Sequence, residues 1–175
     1  MMNPENQLLD CIREGDWPSA LALVHSQNFT TKIATPGSSV FAWLITLDAP
    51  TELVIALLQY AAKHESIDLN KLGLLELSMH ESSTKENAFE IFSSLLKMGL
   101  TPNVLIGGRG CTLLQLAMDL NKVREVKELL RYGVDLHQMS VYGSESTSNL
   151  EEAKLISNAA AQLVLESMAS VVLRN

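Results

Sequence analysis

At 175 residues the chain is long enough to bury a core without disulfides or metals, and its two cysteines, Cys11 and Cys111, have no second Cys or His at metal-ligand spacing. Hydrophobic residues make up 47% of the chain but aromatics only 5%, so the interior is built from Leu, Ala, Val, Ile and Met, a helix-forming set that argues against an all-β sandwich. A net charge of −7 with no offsetting Lys/Arg cluster argues against a nucleic-acid partner, and no apolar run approaches the roughly 18 residues of a membrane span. The N-terminus lacks a basic, then apolar, leader, which gives the expectation of a cytoplasmic protein without membrane contact.

In chain order, Leu8 to Asp16 is a helix that ends on a turn at Gly15, and Trp17-Pro18 stands at the first turn of the next helix, with Trp17 expected to pack under the N-terminal edge. Ser39 can cap a helix beginning Val40-Phe41-Ala42-Trp43, and the repeat resemblance given below begins a second unit at Gly37 and Ser39 and assigns Trp43 to the core. Leu53, Val54, Leu57 and Leu58 follow at helical spacing, and Ile67-Asp68-Leu69-Asn70 closes the unit. A third unit begins at Gly73-Leu74-Leu75-Glu76-Leu77-Ser78-Met79, passes through an elongated polar loop at Ser82 to Asn87, and continues with Ile91, Phe92, Leu95 and Leu96. Gly99, and later Gly133, follow second helices where a left-handed cap is needed.

Leu100-Thr101-Pro102-Asn103 closes that third unit, and the apolar run Val104-Leu105-Ile106 then precedes Gly107-Gly108-Arg109. A hairpin tip is ordinarily polar, so Val104, Leu105, Ile106 and Arg109 are candidates for contact with a protein partner, with packing inside the chain as the alternative. In the fourth unit Thr112 caps Leu113-Leu114-Gln115-Leu116-Ala117-Met118; Val123, Val126, Leu129 and Leu130 make the second helix, and Val134-Asp135-Leu136-His137 closes it. The closing elements recur at steps of 33 and 34 residues. A polar loop, Val141 to Thr147, leads to a capping box at Ser148 and Glu151, from which one uninterrupted helix is expected to run to about Leu173.

The period and the string Gly110, Thr112, Leu114, Leu116, Ala117, Val126, Leu129, Leu130, Gly133 and Asp135 resemble the ankyrin repeat family. The resemblance implies an all-α ankyrin-repeat solenoid of helix-turn-helix units, about 5–36, 37–70, 71–105 and 106–140, followed by residues 141–175 as a loop and a C-terminal capping helix. It departs from the family at the Thr-Pro-Leu-His signature, where Leu113, Leu74 and Val40 replace Pro, and Gln115, Glu76 and Ala42 replace His. Only two residues separate Asn70 from Gly73, so a hairpin finger is expected to be missing there.

The function implied is a scaffold that binds a protein partner through its concave face and fingers, without catalysis or cofactor. The first-helix ends that such a face uses fall at Arg13 and Glu14, Thr46 and Leu47, His80 and Glu81, and Asp119 and Leu120; Leu47, His80, Glu81, Asp119 and Leu120 join the finger residues as the candidate site. Weak self-association through the C-terminal helix is the alternative to its role as a cap. The small degenerate array also resembles bacterial effectors delivered into a host cell, with Glu151-Glu152 and the terminal Val-Val-Leu-Arg-Asn as the cue. An enzyme or regulatory subunit with chemistry at Cys111 or His80 is the third reading, though His25, His64, His80 and His137 repeat no pairing with Cys, Asp or Glu. Gly107 to Thr112 lacks the Lys and spacing of a phosphate-binding loop.

Overall fold

The computed structural model describes residues 4–26, 40–64, 68–106, 110–140 and 146–172. Ser39, Gly37, Gly107, Gly108 and Arg109, to which a cap, a turn and a contact were assigned, lie outside the described residues. Among the described residues the regular structure is ten α-helices and one 3-10 turn, so the protein is all-α. The chain divides into two compact units, residues 1–95 and 96–175.

In the first unit, α1 (Pro4–Glu14) packs on α2 (Trp17–Ser26), α2 on α4 (Thr51–His64), and α3 (Val40–Thr46) on both α4 and α5 (Leu74–Glu81). Each helix buries the apolar positions that its 3.6-residue period brings to one side: Leu8 and Ile12, Ala20 and Val24, then Leu53, Val54, Leu57 and Leu58. A 3-10 turn at Leu69–Leu72, capped by the Asp68 side chain, leads through Gly73 directly into α5, with no hairpin between them. α6 (Glu86–Lys97) begins after four residues, 82–85, as many as join α3 to α4; the elongated loop expected there is not formed, because α5 extends to Glu81. Trp43 is also corrected. It is 45% exposed, because the buried face of this seven-residue helix is filled by Val40, Phe41, Leu44 and Ile45. Trp17 is half-buried.

The turn after a first helix recurs with one geometry. Gly15 N–H donates to the Ile12 carbonyl and Asp16 N–H to that of Cys11; Asp48 and Ala49 do the same to Ile45 and Leu44. In the second unit Asn121 and Lys122 repeat it on Met118 and Ala117. The motif requires a left-handed residue, and Gly15, Asp48 and Asn121 all take positive φ, which Asp and Asn tolerate better than other side chains. The expected caps at Gly99 and Gly133 adopt the same backbone region.

In the second unit α7 (Leu113–Asp119) packs on α8 (Val123–Arg131), α9 (Asn149–Leu155) and α10 (Ala159–Val172), and α10 also covers α8 and α9. Every residue from Leu113 to Met118 is buried, which is why this segment is apolar all round except at Gln115. The single C-terminal helix expected from 148 to about 173 is two helices. Ile156 is extended, and the Asn158 carboxamide oxygen accepts from Ala161 N–H while its amide donates to the Met118 carbonyl at 2.6 Å, so a fresh N-cap starts α10 without any Gly or Pro. Cys11, half-buried in the first unit, and Cys111, buried in the second, are not joined in a disulfide.

Candidate interaction site

The second unit contains two short hairpins. In the first, Leu105 bridges Thr112 antiparallel, Ile106 N–H donates to the Cys111 carbonyl, and Leu113 N–H donates to that of Val104. In the second, Met139 bridges Ser148, Ser140 N–H donates to the Thr147 carbonyl, and Asn149 N–H donates to that of Gln138. Of the polar loop expected at Val141 to Thr147, residues 141–145 lie outside the described residues; Thr147 at its end pairs with Ser140 before it. Thr112 and Ser148 are each the N-cap of the following helix, completed as capping boxes by Gln115 and Glu151. Leu105 and Met139 thus hold the same position in consecutive hairpins, each opposite a buried cap.

Buried polar side chains join the two hairpins. Gln115 accepts from Thr112 N–H through Oε1, and its Nε2 donates to Ser140 Oγ at 3.2 Å and to the Thr147 carbonyl at 3.3 Å. Thr112 Oγ1 donates to the Asn149 carboxamide oxygen, whose Nδ2 donates in turn to the Asp135 carbonyl. Asn103 Oδ1 accepts from Asp135 N–H at 2.7 Å, and Gln138 Nε2 donates to the Asn103 carbonyl. Gln115 and Asn149 thereby cross-link the first hairpin and α7 to the second hairpin and α9.

The sequence candidates separate under this geometry. Leu105 is 53% exposed, whereas Ile106 is 3% exposed; alternation along the paired strand sends its side chain into the core, so Ile106 is removed from the contact surface. Val104 is half-buried, and Arg109 lies outside the described residues. At the end of α7, Leu120 is exposed and Asp119 stands beside α9; burial and then the Glu152 carboxylate raise the Asp119 carboxyl above its ordinary value. Glu151 moves the other way, held down by backbone and side-chain hydrogen bonds from Ser148.

In the first unit Leu47 and His80 are exposed, while Glu81 is half-buried and pairs with Lys85, whose ammonium also donates to the Thr46 carbonyl. That lysine ties the ends of α3 and α5 together, and with them Leu47, His80 and Glu81. Glu81 is thus held in an ion pair, while His80 stays exposed. Three exposed apolar residues escaped the sequence reading: Trp43, Met139 and Leu155, the last at the end of α9.

Among the described residues no group of three or more His, Cys, Asp or Glu side chains is placed to hold a metal ion, and no helix is long and apolar enough to cross a membrane. No family model matches the chain, and no curated protein matches it.

Proposed function

We propose that this chain is a protein-interaction module of the ankyrin-repeat type, acting without catalysis in the cytoplasm and holding a protein partner against its hairpins and first-helix ends. The observation that carries this reading is the matched exposure of Leu105 and Met139, 53% and 47%, on consecutive hairpins, while Ile106 beside Leu105 is buried. Solvated hairpins gain nothing from such residues, whereas a desolvated interface does. Leu120 and Leu155 at the ends of α7 and α9 supply further apolar contact, and in the first unit Leu47 and Trp43 do so at the end of α3.

The repeat reading is supported by recurrence. The left-handed turn after α1, α3 and α7, and the hairpin with capping box before α7 and before α9, are each one solution used more than once. On this reading α9 and α10 form a further helix pair of the array rather than a lone cap.

A photo-crosslinking residue placed at Leu105 or Met139, one at a time, tests the surface in extract of the native host. The reading expects both variants to yield the same crosslinked protein, and a control on α8 at exposed Lys127 to yield none. Equal crosslinking from all three positions would remove the hairpins as the site.

A further inference from the structure

α1 and α2 each present a second face besides the one they bury. On α1, Leu8 and Ile12 are buried, while Gln7, Asp10, Cys11 and Glu14 fall at i, i+3, i+4 and i+7 on another side of the helix. On α2, Ala20 and Val24 are buried, and Ser19, Ala22 and Leu23 turn away from them. Together these second faces line one open groove of about 600 Å³.

The groove has a definite chemistry. Cys11, Ala22 and Leu23 give it small and apolar lining, and Asp10 and Glu14 give it carboxylates. Arg13 pairs with Asp10 at 3.3 Å, but both side chains are largely solvated, so the pair is weak and leaves the groove acidic. The setting reinforces this: residues 1–95 contain 12 acidic and 5 basic side chains, residues 96–175 eight of each, so the net charge of −7 resides in the first unit. The Cys11 thiol senses the same field, since burial and then Asp16, Glu14 and Asp10 all raise its pKa.

We propose that this groove docks a basic amphipathic helix of a partner protein, its apolar stripe seated on Cys11, Ala22 and Leu23 and its Lys or Arg side chains reaching Asp10 and Glu14. Small residues at Ser19 and Ala22 let a third helix come to the usual packing distance of roughly 8–10 Å. Groove-to-groove contact of two copies is disfavoured, because it would set like carboxylates face to face. Anionic membrane is repelled for the same reason. The site is separate from the hairpins and stands or falls without them.

The probe is a blocked helical peptide of about 18 residues with Leu and Ala along one face and Arg on both flanks, compared with its counterpart carrying Glu for each Arg. Binding is read by calorimetry and by maleimide labelling of Cys11, since Cys111 is buried and reacts slowly. The expected result is saturable binding of the Arg peptide alone, at least fivefold slower labelling of Cys11 at saturation, and roughly tenfold weaker binding to D10N/E14Q and to A22R. E52Q/E76Q, which removes the same charge elsewhere in the unit, keeps wild-type affinity. Binding without protection of Cys11, or equal loss in both charge pairs, would show diffuse attraction to an acidic surface and overturn the groove. Absence of binding by the Arg peptide would overturn it too.

Discussion

Gln115 serves two structures with one side chain: its carboxamide closes its own helix cap with Oε1 while Nε2 reaches Ser140 and Thr147 in the neighbouring hairpin. Gln115, Thr112 and Ser140 are buried and Thr147 is half-buried, so truncation leaves donors and acceptors that solvent reaches poorly. Gln115→Ala is expected to cost about 3 kcal/mol of unfolding free energy, the sum of buried bonds at roughly 1 kcal/mol each. Urea denaturation checks this; a loss within the ordinary surface range of about 0.5 kcal/mol would mean the bonds are not made in solution.

Asp119 gives a pH signature at the same scale. Its side chain is exposed at the end of α7, and partial desolvation together with the Glu152 carboxylate raises its folded carboxyl, so the folded state holds the proton more tightly than the unfolded chain, whose value is near 3.8. Below that value both states are protonated and nothing is lost. As pH rises through the carboxylate range, the folded state must bear a disfavoured charge and stability declines. Asp119→Asn is therefore expected to raise Tm at pH 7 and to leave it unchanged below about pH 3.5. A gain of equal size at both pH values would trace the effect to something other than this ionisation.

Among the elements, the start of α10 depends on Asn158, which caps the helix and anchors it to the end of α7. Asn158→Ala is expected to cost about 2 kcal/mol and to release the first-turn amides of α10 to hydrogen exchange, while Ser157→Ala beside it does neither. Unchanged protection in the Asn158 variant would refute the anchoring role. This break was invisible to a reading that looked for Gly or Pro, because a Ser-Asn pair inside an apolar run resembles ordinary helix sequence. Capping boxes at Thr112 and Ser148 were legible, since they are local and their partners stand three residues away. The burial of Ile106 and the exposure of Trp43 were not: each is decided by which face of a short segment meets residues distant in sequence. The hairpin at Met139 was hidden likewise, because two residues of pairing leave no period to detect.

The whole molecule combines an all-helical architecture with apolar side chains left in water at Leu105 and Met139 and net negative charge concentrated in one unit. Helix burial, turn geometry and capping explain the scaffold without appeal to function. Leu105 and Met139 have no such explanation, and binding is the purpose assigned to them. The most direct measurement is quantitative capture of a protein partner from the native host by wild type, by Leu105→Ser/Met139→Ser, and by Ile106→Ser. The double variant is expected to bind at least tenfold more weakly, with Tm within about 2 °C of wild type. Ile106→Ser is expected to lose Tm and to keep its affinity per folded molecule. Full affinity in the double variant at unchanged Tm would contradict the account.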